Sequence, residues 1–195
     1  MNILALPGKA AFEIMRAVVL FFYRLSGWKI EGSVPPTNKF LVIAAPHTTN
    51  WDLPMMLLLA LHFRVRLHWA GKASLFKPPF GWLMTALGGV PIDRSKSDNF
   101  VDQIVERYQS RDSFVIGILP EGTRAKVSEW KSGFYHISMG ADVPIAFGFV
   151  DYGRKVGGIG DVMTASGDYD SDLERIKAFY ANVTPKYPDR AGLCD

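Results

Sequence analysis

The segment APHTTNWDLP holds two side chains that can share a proton, a histidine and an aspartate. His47 and Asp52 are five positions apart and directly follow the apolar run FLVIAA. Residues five apart on one helix point about 140° away from each other, so the pair is not a helical metal-ligand set. With His47 in a loop after a strand and Asp52 in the first turn of the next helix, the two side chains can meet. A carboxylate bound to one ring nitrogen leaves the other nitrogen free to act as a base.

The same segment also fits an ordinary turn between a strand and a helix. Asn50 is a candidate N-cap, and Pro54 is tolerated near a helix start. An aspartate in the first helical turn is stabilised by the helix dipole without any catalytic role. The choice between a catalytic pair and a turn therefore depends on the rest of the chain.

Two further strand ends carry charged residues, in the segments GGVPIDRS and GILPEGTRA. Guanidinium and hydroxyl groups around a glycine turn are the parts of a phosphate-binding loop. The alternative is a pair of surface turns in which an arginine of one pairs with an acidic residue of the other. The candidate residues after these two strands are Asp93, Arg94, Glu121, Gly122, Thr123 and Arg124.

Apolar periodicity predicts the elements that position these residues. Strands are predicted at 39–45, 65–70, 89–92, 113–119 and 143–150. Helices are predicted near 50–63, 79–87, 97–110, 131–140 and 170–183. The glycine-rich run YGRKVGGIGD indicates turns around a short late hairpin. Short apolar strands that alternate with helices indicate a single α/β domain with a mostly parallel sheet flanked by helices. Ligands of such sheets bind beyond the carboxyl ends of the strands, where His47 is placed.

Composition restricts the classes of partner. The chain has 195 residues, one cysteine and a net charge of +3, which suits an anionic partner and excludes an internal disulfide framework. No basic stripe lies on a recognisable reading element, so a nucleic-acid partner is not expected. The other three histidines lack ligand spacing with any cysteine or acidic residue, so no metal is expected either.

Residues 1–27 are predicted to be a membrane-associated apolar helix, followed by an enzymatic domain over 28–195. The run KAAFEIMRAVVLFFYRL is mostly apolar, but it is too short to span a bilayer and no small-residue cleavage site follows it. After Asp52 the sequence has no acidic residue until Asp93, although it has several cations and aromatic residues, a composition that favours anionic headgroups. The alternative is that the helix and these aromatic residues belong to the core.

Taken in order, four segments resemble the blocks of the glycerolipid acyltransferase family, which includes the lysophosphatidic acid acyltransferases. The blocks appear here as HTTNWD, GVPIDR, LPEGTR and VPIAFGF. The run GKASLFKPPFGWLMTALGGVPIDR is similar to the family's linker between the first two blocks, and WKSGFYHIS to the lysine-glycine helix after the third. The resemblance covers about residues 28–150.

The resemblance implies that His47, oriented by Asp52, takes a proton from a lysophospholipid hydroxyl that attacks an acyl thioester. The thioester would be acyl-CoA or acylated acyl carrier protein. It is a co-substrate, and no cofactor is implied. No G-x-S-x-G elbow is present and the cysteine is terminal, so an acyl-enzyme is not expected. The implied substrate-binding residues are Lys72, Asp93, Arg94, Glu121, Gly122, Thr123, Arg124 and Lys131.

Two other functions use the same residues differently. A hydrolase would use the His47–Asp52 pair on water, but this requires an open acceptor site, and the arginines that suit a phosphate argue against it. A non-catalytic lipid-binding module would require no base, so the pair argues against this alternative too. We expect a cytoplasmic enzyme that is peripheral on the inner face of the membrane.

Overall fold

A seven-stranded sheet lies at the centre of the chain, in the order β1-β7-β6-β2-β5-β3-β4. The computed structural model describes residues 9–92 and 98–192. The strands are β1 (Lys29–Glu31), β2 (Lys39–Ala44), β3 (Leu67–Lys72), β4 (Gly89–Ile92), β5 (Phe114–Ile118), β6 (Ile145–Asp151) and β7 (Val156–Met163).

Five strands, β2 to β6, are parallel, and β7 is antiparallel to β6 and parallel to β1. All residues of β5 and β6 are buried, because helices cover both faces of the sheet. The prediction of one α/β domain with a mostly parallel sheet is therefore confirmed.

Helices cover the two faces of the sheet and pack on alternate residues of its central strands. On β2, Leu41 and Ile43 point to the core shared with α4, α5 and α6, whereas Phe40 and Val42 point to the core shared with α2. The helices are α1 (Lys9–Leu25), α2 (Asp52–His62), α3 (Gly81–Ala86), α4 (Asp98–Gln109), α5 (Gly133–Ala141) and α6 (Tyr169–Tyr180).

The sequence prediction missed β1 and most of β7. The late hairpin exists, but its second strand has eight residues and is not a short segment between turns. Its glycines allow β1 to approach closely, since a Cβ on Gly158 would lie 1.9 Å from the carbonyl oxygen of Glu31. Glycine removes the apolar alternation by which a strand is recognised, so this strand resembled a turn.

Helix α1 packs on the domain through one narrow face and exposes most of its apolar surface. Leu20 and Tyr23 are buried, and the Glu13 carboxylate binds Arg64, which lies just after α2, at 3.0 Å. Among the described helices, none has the length and hydropathy required to cross a membrane. The apolar side chains of α1 that face outward are Ile14, Met15, Val18, Phe21, Phe22 and Leu25.

Candidate active site

His47 and Asp52 form a hydrogen-bonded pair beyond the carboxyl end of β2. His47 lies in the loop after the strand, and Asp52 is the first residue of α2. The His47 Nδ1 atom is 2.9 Å from the Asp52 Oδ2 atom. Asp52 is buried, whereas the His47 side chain remains 14% exposed. The loop between the strand and the helix start therefore brings together two residues that a continuous helix would keep apart.

Three other donors hold the Asp52 carboxylate. The main-chain N–H groups of Thr48 and Thr49 donate to Oδ2 at 3.2 and 3.1 Å. The Tyr152 hydroxyl donates to Oδ1 at 2.9 Å. A carboxylate with four donors is stabilised as an anion, so the hydrogen of the imidazole resides on Nδ1. The Nε2 atom, which has no hydrogen-bond partner within residues 9–92 and 98–192, is then left as a base.

The predicted N-cap role of Asn50 is wrong. The residue before α2 is Trp51, and no side chain caps the helix. The carboxylate of Asp52 and the hydroxyl of Thr49 already accept from the N–H groups of this loop. The Asn50 amide oxygen instead accepts a hydrogen bond from the Arg124 guanidinium.

Glu121 lies in the loop after β5, beneath the loop that carries His47, and supports that loop. Its Oε2 atom accepts a hydrogen bond of 2.8 Å from the main-chain N–H of His47. Its Oε1 atom is buried and has no partner in the described chain. Burial raises the pKa of Glu121 to about 7, and the hydrogen bond from His47 opposes this rise. The two loops meet because β2 and β5 are neighbours, with Ile43 opposite Ile118.

The turn after Glu121 brings two basic side chains to the mouth of the site. Gly122 has a φ of +66°, and its N–H donates to the Leu119 carbonyl, so the predicted tight turn is present although this N–H is occupied. A Cβ on Gly122 would lie 3.2 Å from the Lys131 side chain, which therefore lies against the turn. Arg124 is exposed on the other side, next to Asn50.

The remaining predicted substrate-binding residues differ in how far the structure describes them. Thr123 is exposed, and its hydroxyl accepts a hydrogen bond from the Ala125 N–H. Lys72 is the exposed last residue of β3, which is parallel to the neighbouring β5. It therefore lies at the carboxyl edge of the sheet, where the loop after β5 also begins. Asp93 and Arg94 lie outside the described residues.

An apolar groove begins at the His47–Asp52 pair and runs between α2 and the sheet. It contains about 620 Å³ of space free of protein atoms, part of which is open to solvent. Side chains of α2, of the sheet strands and of the adjoining loops supply its wall, and His47 and Asp52 are its polar end. The apolar lining includes Val34, Phe40, Met56, Ala60, Phe63 and Val65.

Tyr152 is a residue of the site that the sequence did not reveal. It lies in the turn between β6 and β7, 100 positions after Asp52. No spacing rule connects residues so far apart, and a single tyrosine after a strand is an ordinary feature. Its place after β6, the strand beside β2, is known only from the fold, because the sequence predicted no strand order.

The sequence of this chain is similar to those of known proteins. Residues 29–146 match the sequence model of a protein family described as Acyltransferase. The chain is 28% identical over 125 residues to the 1-acyl-sn-glycerol-3-phosphate acyltransferase of Saccharomyces cerevisiae, a match that covers 60% of this chain and 40% of the yeast protein. The chain thus spans less than half the length of this curated relative.

The fold is similar to that of a solved structure, the 1-acyl-sn-glycerophosphate (LPA) acyltransferase PlsC of Thermotoga maritima. The TM-score is 0.60, the identity is 20%, and the similarity covers 88% of this chain and 77% of the other. This likeness shows that the two chains share a fold. The matched family model includes His47, Asp52, the turn after β5 and Lys131, but it ends before Tyr152.

Proposed function

The chain belongs to the acyltransferase family, and from this premise we propose the reaction that it catalyses. The enzyme transfers a fatty acyl group from an acyl thioester, either acyl-CoA or acylated acyl carrier protein, to a free hydroxyl of a lysophospholipid such as 1-acyl-glycerol-3-phosphate. One observation carries the proposal: the pair of His47 and Asp52, 2.9 Å apart, stands at the end of an apolar groove.

The pair supplies the proton transfers of this reaction. His47 Nε2 takes the proton of the acceptor hydroxyl as its oxygen attacks the thioester carbonyl carbon. The imidazolium that forms is stabilised by the Asp52 carboxylate, which keeps its charge throughout. The intermediate then expels the thiolate, and the imidazolium returns the proton to it. The products are an ester and a thiol, and the enzyme is regenerated.

The apolar groove suits a fatty acyl chain. Its walls are the aliphatic and aromatic side chains of α2 and the sheet, and its polar end is the catalytic pair. Each methylene buried in such a groove contributes about 0.8 kcal/mol. A chain seated there would place its carbonyl carbon beside His47, which is the geometry that acyl transfer requires.

Basic residues at the mouth of the site suit the phosphate of the acceptor. Arg124 donates a hydrogen bond to Asn50, which lies between His47 and Asp52 in the sequence, and Lys131 lies against the Gly122 turn. A guanidinium binds phosphate oxygens with two parallel hydrogen bonds and so fixes orientation as well as charge. We assign Arg124 and Lys131, with Lys72, Thr123 and Arg94, to the acceptor headgroup.

Exposed apolar side chains suit a peripheral position on a bilayer. The outward face of α1 is apolar, and Phe80 and Trp82 are 64% and 72% exposed. Large apolar side chains in such numbers on a surface mark a partner that is itself apolar. We place the enzyme on the inner face of the cytoplasmic membrane, so that a long-chain acceptor reaches His47 without leaving the lipid.

Purified protein given acyl-CoA or acylated acyl carrier protein, with a panel of lysolipids, tests the proposal. Mass spectrometry should find a diacyl product that depends on a phosphorylated acceptor and is lost in His47→Ala. Free fatty acid released without any acceptor would show the hydrolase instead. Lipid binding with no product from either donor would show a non-catalytic module.

A further inference from the structure

Within residues 9–92 and 98–192, Tyr152 is the one side chain besides His47 that binds the Asp52 carboxylate. Its hydroxyl donates to Oδ1 at 2.9 Å, while the other three donors all bind Oδ2. We propose that Tyr152 is a positioning residue: its hydroxyl fixes the rotation of the carboxylate, and thereby holds the His47 ring with Nε2 turned to the substrate. The inference rests on the proposed role of His47 as the base.

The Tyr152 hydroxyl is suited to act as a permanent donor. Burial raises the pKa of Tyr152, and the negative charge of Asp52 raises it further. The hydroxyl therefore keeps its proton over the whole pH range of an assay. A second anchor matters because rotation of the carboxylate about its Cβ–Cγ bond then breaks hydrogen bonds at both oxygens and not at Oδ2 alone.

Segments from both ends of the chain hold the Tyr152 ring. The Trp28 ring meets it edge to face at 5.3 Å, and Trp28 in turn lies 5.8 Å from the Tyr23 ring of α1. On the other side, the Tyr152 N–H donates to the Thr184 carbonyl at 2.8 Å. Contacts from two distant segments of the chain, one to the ring and one to the main chain of Tyr152, indicate that tertiary packing and not the local turn positions this residue.

Charged and titratable groups surround this anchor. His47 and Glu121 lie on the side of Asp52, and Tyr187 and Lys186 lie on the outer side, with the Lys186 ammonium 5.9 Å from the centre of the Tyr152 ring. Tyr152 and Trp28 both fall outside residues 29–146, which match the family model. The donor to Asp52 Oδ1, and the ring that packs on it, therefore come from parts of the chain that flank the matched residues.

Tyr152→Phe removes the hydroxyl and keeps the ring. We expect kcat to fall about tenfold with little change in KM, since the loss affects the base and not substrate contacts. Tyr169→Phe, at a half-buried tyrosine beside Tyr135, is the matched control.

A double-mutant cycle shows whether Tyr152 acts through Asp52. In the Asp52→Asn background, Tyr152→Phe should cost less than about twofold, because the group that it positions is already impaired. Trp28→Leu should lower kcat about threefold by loosening the ring, and this effect should vanish in the Tyr152→Phe background. Full additivity in both cycles would overturn the inference, as would a wild-type kcat in Tyr152→Phe.

A spectroscopic comparison needs no substrate and separates this inference from the proposed function. Imidazole nitrogen-proton NMR spectra, assigned with His47→Gln, report the tautomer of His47 directly. Tyr152→Phe should shift the Nδ1–H resonance and introduce the second tautomer, whereas an unchanged spectrum would overturn the positioning role. If wild-type protein acylates no acceptor, the proposed function fails, and the spectra still decide the role of Tyr152.

Discussion

Glu121 accepts a hydrogen bond from the main-chain N–H of His47, although the two residues are 74 positions apart. The bond joins the loop after β2 to the loop after β5, so the loop that carries His47 and the turn at Gly122 form one unit. The carboxylate that makes it is buried, and burial raises its pKa to about 7.

This raised pKa predicts a pH dependence of stability. The pKa of Glu121 in the folded protein lies above the ordinary value of 4.5. The contribution of protonated Glu121 to the stability of the fold is therefore complete below about pH 4.5, and it is lost as the pH rises through about 7. Glu121→Gln keeps an acceptor but cannot ionise. Between about pH 4.5 and pH 8, the wild type should lose up to about 3 kcal/mol of unfolding free energy relative to this variant. Urea denaturation measures the difference, with exposed Glu129→Gln as control; parallel curves for Glu121→Gln and wild type would contradict it.

Loss of the base should abolish most turnover. His47→Ala should lower kcat by about 100-fold or more while the protein remains folded. Asp52→Asn should also lower kcat, because an amide that donates to Nδ1 favours the wrong tautomer. Steady-state kinetics with circular dichroism as the folding check tests both variants. His136→Ala, an exposed histidine of α5, is the control, and near wild-type turnover in His47→Ala would reject the mechanism.

Arg124 should act on the acceptor and not on the donor. Arg124→Ala should raise the KM for a phosphorylated acceptor about tenfold, with little change in the KM for the thioester. Arg124→Lys should restore only part of the affinity, because an ammonium lacks the planar fork. Arg175→Ala removes an exposed arginine that pairs with Asp161 and serves as control. If Arg124→Ala changed only the KM for the thioester, Arg124 would be assigned to the donor and not to the acceptor.

The outward face of α1 should bind lipid. Phe21→Ser with Leu25→Ser should weaken sedimentation with anionic liposomes, because both side chains are more than 60% exposed and their loss removes apolar contact area. This pair of changes is sharper than deletion of residues 1–27, which also removes the buried Leu20 and Tyr23. Activity on a short-chain, soluble acceptor should persist. Met139→Ser, at an exposed apolar residue of α5, is the control, and equal binding by all proteins would favour a purely structural α1.

The groove should set the length of the acyl chain. Ala60 lines it between α2 and the sheet, so Ala60→Leu should shorten the space available. We expect the ratio of kcat/KM for long over short acyl donors to fall about tenfold, which corresponds to the loss of roughly two buried methylenes. A series of acyl-CoA lengths measures this ratio. Ala178→Leu, on the exposed side of α6, should leave it unchanged, and an unchanged ratio in Ala60→Leu would place the acyl chain elsewhere.

The sequence by itself determined those features that are local. Alternating apolar strands and helices were sufficient for a mostly parallel α/β sheet, because burial on both faces leaves continuous apolar runs such as FLVIAA. His47 and Asp52 were paired correctly because five residues of loop and helix start constrain their geometry. The loops after β2 and β5 were both expected at the carboxyl edge of the sheet, which parallel strands require.

Only the tertiary structure decided which distant residues meet. The bonds from Glu121 to the His47 N–H and from Tyr152 to Asp52 depend on β2 lying between β5 and β6, and strand order leaves no trace in periodicity. The face that α1 exposes depends likewise on its docking through Leu20 and Tyr23. Periodicity records whether a side chain is buried or exposed, but contacts across many residues result from the packing of whole elements, which is why these two anchors of the pair became visible only in the fold.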